Sequence, residues 1–405
     1  MKILQRKIIG TIAVLMGAWI VVGCGGSGSS SNVEPKQLTI ITDAKKIAYR
    51  EKGGTWIEST GKPGAFYKTH ETDIIGKYEV ALKCKSGNSI PINLFALDTR
   101  VDDTLMIRCE DHSTPPMPQQ VNFHLSQALS GASLTSYQLI VDEEDGFKSG
   151  NSVDIALSLS KGKKTDIIAL GNVGNTPKRF YLERDYTPNN THKSIQLTDT
   201  NSVEIQSKKF TVSPQTSAHL SLWTKNKTSS DVVHAGKWYY PDGLLGSEDS
   251  YFLMANDSAN RSERYKTTDA LSVPKKEMTI DLSNINKISG ITYDGADHQI
   301  KNIHYHSTSA PHRGYVIELN KGGNPSLVAV LSNEYLEGKT VFEIEDLSSI
   351  IDWGETIWNA QDPSNVAIFA VCASGGFSSL IIRTWDDLAY MKNNYTYEIS
   401  SQLLK

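Results

Sequence analysis

Polar and apolar residues alternate along most of the chain after position 37, and a period of two is the pattern of β-strands with one buried face. The segment 78–84 shows it well, because Tyr78, Val80, Leu82 and Cys84 fall on one face. Turn signals separate short segments of this kind about every 8 to 12 residues, and helical periodicity is scarce. The pattern therefore predicts an all-β fold made of tandem β-sandwich modules.

A proline-rich stretch gives the clearest boundary within this β pattern. It covers 113–119 and contains Pro115, Pro116 and Pro118, which interrupt regular structure. We expect a first sandwich module at 37–113 and a second at 119–212. The remaining 213–405 is too long for one small module, so it is either two packed sandwiches or one large sandwich.

The second module carries a family resemblance in the segment 160–184. A Gly-Lys-Lys turn precedes the strand 165–170, and a further strand follows at 180–184. This arrangement resembles carboxypeptidase-regulatory-like and Ig-like sandwich modules, although Lys164 stands where that family pattern has a tyrosine. The resemblance implies a sandwich fold of the kind found alongside adhesion modules. It does not imply a chemical reaction.

The amino-terminal segment predicts export and attachment. Three basic residues precede the apolar run 8–22, and Val21-Val22-Gly23-Cys24 follows. A basic start and a short apolar run are the pattern of a cleaved signal peptide, here 1–23. The last four residues resemble a bacterial lipobox, in which Cys24 takes a diacylglyceryl group and, after cleavage, an amino-terminal acyl chain such as palmitate. The alternative is an ordinary signal peptide, or an uncleaved anchor, with an incidental cysteine.

The segment 24–36 is rich in Gly and Ser, which predicts a flexible tether behind the lipidated Cys24. More than one acyl chain gives stable anchoring in a bilayer. By resemblance to the sorting rules of such lipoproteins, Gly25 in place of aspartate favours the outer membrane. Whether the body faces the periplasm or the outside stays open.

Composition narrows the class of protein. The chain has 405 residues, a formal net charge of −4 and a pI near 6.2. A nucleic-acid-binding domain would need a strongly basic face, so the sequence argues against nucleic acid as a partner. No second apolar run approaches the length of a membrane span.

Two of the four cysteines form a candidate disulfide. Cys84 and Cys109 lie in the same predicted module, while Cys372 stands apart and Cys24 is assigned to lipid. An exported protein meets an oxidising compartment, so we expect a Cys84–Cys109 bond. Two buried free thiols are the alternative.

Four histidines lie close together in the sequence: His298, His304, His306 and His312. Within a predicted strand at 300–306, His304 and His306 would face the same side. Two imidazoles on one face could bind zinc or copper. The alternative is a set of surface or hydrogen-bonded histidines.

An aromatic-rich stretch centres on Trp238, Tyr239 and Tyr240. On the face of a sandwich, such side chains can stack on a sugar ring or anchor a protein partner. They pack equally well in a core, so the sequence leaves both interpretations open.

No catalytic motif stands out, and in particular there is no Gly-x-Ser-x-Gly sequence. The sequence therefore favours an outer-membrane-anchored lipoprotein with a non-catalytic binding or scaffolding role and no cofactor. Its expected partners are the bilayer, through Cys24, and an envelope protein or glycan. The alternatives are an envelope hydrolase with an unmarked site in the carboxy-terminal half, or a metal-handling lipoprotein that uses the histidines at 298–312.

Overall fold

A computed structural model describes residues 36–64, 67–84, 92–107, 109, 117–131, 133–142, 144–273, 275–306, 311–321, 324–345, 365–374 and 396–404. Strands contain 63% of these residues and helix 1%, so the prediction of an all-β fold with several packed sheets is confirmed. Within these ranges, no helix has the length and apolarity needed to cross a bilayer. The predicted signal peptide, the tether and Cys24 lie outside the described residues.

The first part of the chain forms eight strands in the described residues. They are β1 (Gln37–Thr42), β2 (Lys46–Glu51), β3 (Ile57–Glu58), β4 (Lys62–Pro63), β5 (Lys68–Ile75), β6 (Lys77–Lys83), β7 (Ile92–Asp98) and β8 (Thr104–Ile107).

The middle of the chain supplies longer strands. They are β9 (Pro118–Ala128), β10 (Ser136–Val141), β11 (Glu144–Ser149), β12 (Val153–Ser160), β13 (Thr165–Val173), β14 (Thr176–Tyr186), β15 (His192–Thr198), β16 (Ser202–Val212) and β17 (Thr216–Trp223).

The last part mixes short and long strands with one helical turn. These elements are β18 (Ser229–Asp231), β19 (Val233–His234), β20 (Lys237–Pro241), β21 (Ser250–Asp257), β22 (Ser262–Asp269), β23 (Met278–Ile280), β24 (Thr292–Asp294), β25 (Gln299–Lys301), β26 (His312–Lys321), β27 (Asn324–Ser332), α1 (Asn333–Leu336), β28 (Val341–Glu343), β29 (Asn365–Ala373) and β30 (Thr396–Leu403).

Twelve of the described strands form one long sheet in the order β18-β17-β21-β22-β30-β29-β26-β27-β7-β6-β2-β3. A four-stranded sheet, β4-β5-β1-β8, packs on one face of it, and a small sheet, β24-β25-β28, packs on the other. An eight-stranded sheet, β11-β10-β13-β14-β16-β20-β19 with β23 beside β16, faces the three-stranded sheet β12-β9-β15.

Within the long sheet β7 and β27 form a parallel pair, in register from Ile92 opposite Leu327 to Ala96 opposite Leu331. Every residue of β7 is buried, and sheets covered on both faces are where parallel pairing is found. The pair joins the predicted module 37–113 to the region beyond 213. The boundaries of the modules stay a prediction, but strands from both ends of the chain share this one sheet.

A polar network holds the same two parts of the chain together. The Arg50 guanidinium bonds Glu79 at 2.5 Å and Glu345 at 2.9 Å. The Tyr335 hydroxyl also donates to Glu79. The side chains of Arg50 and Glu79 are only 11% and 7% exposed, and buried charges need such partners because they have left water.

The middle of the chain forms a sandwich whose core follows the strand alternation. Val153, Ile155, Leu157 and Leu159 of β12 are buried, while the residues between them are exposed. In contrast, β13 is buried on both faces. Its Ile167 and Ala169 enter the core shared with the three-stranded sheet, and its neighbours enter a second core, shared with the long sheet.

The predicted disulfide is present. Cys84 follows β6 and Cys109 follows β8, with Cα atoms 5.0 Å apart. Both cysteines are buried in the core between the four-stranded and the long sheet. The bond therefore crosses between two packed layers, whereas Cys372 is buried and forms no disulfide.

Replacing both bonded cysteines (C84A/C109A) should lower the free energy of unfolding by about 3 kcal/mol. The bond closes a loop with a sequence separation of 25, and a loop of that length limits the entropy of the unfolded chain by roughly this amount. Urea unfolding with and without reductant measures the difference. C372A is the matched control and should keep the sensitivity to reductant. If the urea unfolding curve of the native protein is the same with and without reductant, the prediction is wrong.

Candidate functional site

A row of side chains crosses the outer face of the eight-stranded sheet, the face turned away from the three-stranded sheet. Gln138 of β10 lies opposite Phe147 of β11 and Leu170 of β13, and Leu170 lies opposite Phe180 of β14. Directly opposed residues of neighbouring strands project from the same face and touch. The four side chains therefore form a continuous floor.

The hairpin β19–β20 forms a wall beside this floor. Its two-residue turn places Ala235 at φ 48° and Gly236 at φ 71°, which is the left-handed geometry that tight hairpins need. The backbone N–H of Tyr239 donates to Val232 at 2.7 Å and holds the preceding segment against the hairpin. The turn thereby fixes His234 and Tyr239 at the edge of the floor.

Floor and wall enclose a pocket of about 310 Å³, near the lower end of the usual range for ligand pockets, about 300–1,000 Å³. Most of its lining is aromatic or aliphatic, with amide, hydroxyl, carboxylate and imidazole groups between. The lining residues are Gln138, Phe147, Leu170, Asn172, Asn175, Pro177, Phe180, Ile205, Ser230, Asp231, Val232, Val233, His234, Tyr239, Tyr240 and Pro241.

Asn172 is the unusual group in this pocket. It is 6% exposed, it lines the pocket, and its side-chain amide forms no hydrogen bond with another described residue. It is not one of the fully enclosed, unpaired polar groups of the described residues, so its amide is open to the pocket. The amides of Gln138 and Asn175 also line the pocket and are likewise unpaired among the described residues. An incoming ligand would find three amides ready to donate and accept.

The charge at the pocket is already balanced. Asp231, at the rim, bonds His219 at 2.7 Å, and this hydrogen bond raises the pKa of His219 above its usual value. No Lys, Arg or Glu is among the described residues that line the pocket. The site therefore presents hydrogen-bonding groups and apolar surface, with no uncompensated charge.

The predicted aromatics divide between core and pocket. Trp238 is fully buried, stacks at 4.6 Å on Tyr240, and donates its Nε1–H to the carbonyl of Lys276 at 2.9 Å. Tyr239 and Tyr240 are 9% and 6% exposed and line the pocket. Tyr240 also lines an adjoining pocket of about 260 Å³ beside Lys275. Contact of these aromatics with a ligand stays a prediction.

The predicted strand at 300–306 is shorter than expected. It ends at Lys301, because Asn302 adopts a left-handed conformation with φ 61°. His304 Nδ1 bonds the carbonyl of Asn302 at 2.6 Å, so the premise that His304 and His306 share a strand face is wrong. Among the described residues, no three His, Cys, Asp or Glu side chains are grouped as metal ligands.

His298 and His312 have separate surroundings. His298 Nδ1 lies 3.4 Å from the Tyr293 hydroxyl. His312 is held between the Gly314 carbonyl at 2.9 Å and the Asn333 side chain at 3.2 Å. Burial lowers the pKa of His312 to about 4. His298 and His304 thus have separate partners, whereas His306 lies close enough to His312 to contribute to its lowered pKa. His312 itself is bonded within the long sheet.

The long sheet also aligns polar residues that sequence reasoning did not connect. His312 pairs with Cys372, Cys372 with Glu398, and Glu398 with Arg264 on successive strands. Arg264 bonds Glu398 at 2.8 Å, and Cys372 is 1% exposed. Within the row Cys372 and Glu398 are buried, while His312 and Arg264 are partly exposed.

Sequence reasoning found Tyr239 and Tyr240 but missed Gln138, Phe147 and Asn172. A signal for Asn172 existed, because it is a polar residue that follows the apolar run 167–170 on the same strand, Thr165–Val173. Nothing in the sequence connected it to Gln138 or Phe147, which lie on other strands.

No protein-family model and no curated protein matches the chain. Among solved structures, a putative adhesin from Bacteroides ovatus is 8% identical, with 36% of this chain and 76% of that one covered and a TM-score of 0.15. A leucine-rich repeat protein from Bacteroides thetaiotaomicron is 10% identical, with 40% and 26% covered and a TM-score of 0.14. The pilus adhesin SpaC from Lactobacillus rhamnosus GG is 8% identical, with 74% and 43% covered and a TM-score of 0.13. Scores this low support no inference about fold or function.

Acidification should destabilise the protein through His312. Its folded pKa of about 4 lies below the ordinary histidine value of 6.5, so between these two pH values the unfolded chain binds a proton that the folded chain does not. The associated stability is complete above the unfolded pKa and is lost as the pH falls towards the folded one, by about 2 kcal/mol at pH 5.

Urea unfolding of native protein and H312Q at about pH 7 and pH 5 tests this expectation. H312Q should lose less stability on acidification than the native protein. H192Q, at an exposed histidine of β15, is the control and should behave like the native protein. Equal losses in H312Q and native protein would refute the assignment.

Proposed function

We propose that this protein is a non-catalytic binding protein of the bacterial envelope, held at the outer membrane by acyl chains on Cys24. In this proposal the β body binds its ligand in the pocket between the row Phe147–Gln138–Leu170–Phe180 and the hairpin β19–β20. The amino-terminal sequence supports the anchor, and the pocket supports the binding role.

The observation that carries the binding role is the amide of Asn172, which lines the pocket beside the floor and has no hydrogen bond to another described residue. A residue that is only 6% exposed on a buried strand is normally apolar. An amide at such a position, open to a pocket, is available to hydrogen-bond a ligand. The surrounding strands are paired on both sides, so the amide is held rigidly, as a preorganised binding site requires.

The groups in the pocket suit binding better than catalysis. Its one histidine, His234, lies on an exposed hairpin, and its one carboxylate, Asp231, bonds His219. General acid–base chemistry needs an acid and a base directed at one reacting atom. The pocket's amides and aromatics supply recognition, and the proposal needs no reaction from them.

The anchor is tested by replacing Cys24. C24A should lose incorporation of labelled palmitate and should leave the outer-membrane fraction, because the acyl chains provide the membrane affinity. C372A, which removes a buried thiol of the body, should retain both properties. Labelling of C24A at the native level would contradict the proposed anchor.

The pocket is tested with a panel of small probes: neutral oligosaccharides, acidic oligosaccharides, short peptides and short-chain acyl compounds. At least one class should raise the melting temperature of the full-length protein, because a ligand that binds only the folded state stabilises it. The shift should be lost in N172L, which replaces the amide by an apolar group of similar size. It should persist in I57A, at an exposed residue of the remote strand β3. If the probes raise the melting temperatures of native protein and N172L equally, or raise neither, the pocket is not the binding site.

A further inference from the structure

The charge of the pocket limits the class of ligand. Among its described lining residues the one carboxylate is Asp231, which is already bonded to His219 at 2.7 Å, and no Lys or Arg is present. An anionic ligand would meet no Lys or Arg, and a cationic ligand would have to compete with His219 for Asp231. Burying a charged group without a partner is unfavourable, so the lining favours a neutral ligand.

The polar groups of the pocket limit the class of ligand further. Asn172, Gln138 and Asn175 each carry an amide, which offers both donors and an acceptor. A hydroxyl group has the same dual character, so a ligand rich in hydroxyls can satisfy each amide in either orientation. An acyl chain would displace water from the amide of Asn172 without replacing its hydrogen bonds, and that is costly.

The apolar groups supply the complementary surface. Phe147 is 58% exposed on the edge strand β11 and lies directly opposite Gln138. An aromatic face carries partial negative charge, which attracts the polarised C–H groups on the flat side of a sugar ring. Phe147 and Gln138 together present one stacking face beside one hydrogen-bonding group, as a pyranose presents C–H groups beside hydroxyls.

The dimensions of the pocket fit the end of an extended ligand better than a long internal segment of it. The pocket volume is about 310 Å³, at the small end of ligand pockets, and Phe147 lies on the edge strand at its rim. A terminal sugar could occupy the pocket while the rest of the chain extends past Phe147 into solvent.

We infer that the pocket binds a neutral glycan by one of its sugar rings, with Asn172 and Gln138 bonding the hydroxyls and Phe147 stacking on the ring. This inference rests on the proposed binding function and names its ligand class. It assigns Asn172 as the residue that discriminates hydroxyl-bearing ligands from apolar ones.

The experiment is a titration of the full-length protein in a zwitterionic detergent, since alkyl glycoside detergents would compete for the site. The probes are neutral oligosaccharides of glucose, galactose, mannose and N-acetylglucosamine, matched in length to an acidic oligosaccharide, a neutral peptide and a short-chain acyl amide. Calorimetry measures the affinity of each. At least one neutral oligosaccharide should bind, and the acidic one should bind at least tenfold more weakly.

Variants then locate the binding. N172L should weaken binding of the neutral oligosaccharide about tenfold or more, because it removes the hydrogen bonds to the hydroxyls. Its melting temperature without ligand should stay the same, because the native amide bonds no other described residue. F147A should weaken binding of the same oligosaccharide about fivefold. It should leave the melting temperature unchanged, since Phe147 is exposed. I57A, at an equally exposed position, should bind like the native protein.

The outcomes separate this inference from the proposed function. Binding of the peptide or the acyl amide, lost in N172L, with no binding of neutral oligosaccharides, would overturn the glycan assignment and leave the pocket as a binding site. Binding of a neutral oligosaccharide that N172L and F147A do not change would overturn the assignment of these residues. No N172L-sensitive binding of any probe would overturn both.

Discussion

The parallel pairing of β7 with β27 is the constraint on which the rest of the structure depends. It joins strands more than two hundred residues apart in the chain. The long sheet therefore cannot form completely until these two distant segments have come together. Contacts between such distant segments cost loop entropy before they stabilise anything. The cost is recovered because both strands are buried on both faces, between two cores. The network of Arg50, Glu79 and Glu345 strengthens the same junction, since Glu345 and Tyr335 add bonds from the second part of the chain to the Arg50–Glu79 pair of the first.

That junction also explains how the pocket is supported. The eight-stranded sheet shares one core with the three-stranded sheet and another with β17 and β21 of the long sheet. Its central strand β13 is therefore held from both sides. Asn172, near the end of β13, lies where the second core gives way to the pocket. A side chain on so constrained a strand keeps its position without a hydrogen bond, which lets the protein maintain an unpaired amide for a ligand.

Several elements could be predicted from the chain alone, for local reasons. The alternation of β12 and the apolar run of β13 predict strands because a pleated strand turns successive side chains to opposite faces. The Cys84–Cys109 bond followed from the export signal and from the cysteines' place in one module. The strand expected at 300–306 was wrong beyond Lys301, because the left-handed conformation of Asn302 is not visible in a hydrophobic pattern. The candidate site was half found: adjacent aromatics marked Tyr239 and Tyr240, whereas Gln138, Phe147 and Asn172 meet only through strand register.

The sequence by itself determined the class of fold, the disulfide and the expectation of a lipid anchor, because each depends on local periodicity or on a short motif. The tertiary structure decided which strands share a sheet, why Trp238 is core while Tyr240 borders a pocket, and why the histidines at 298–312 are not grouped. These outcomes depend on pairing between distant segments, and side-chain alternation specifies which face of a strand is buried without specifying its neighbour. The pocket exists only in that pairing, since its floor is one residue from each of four strands.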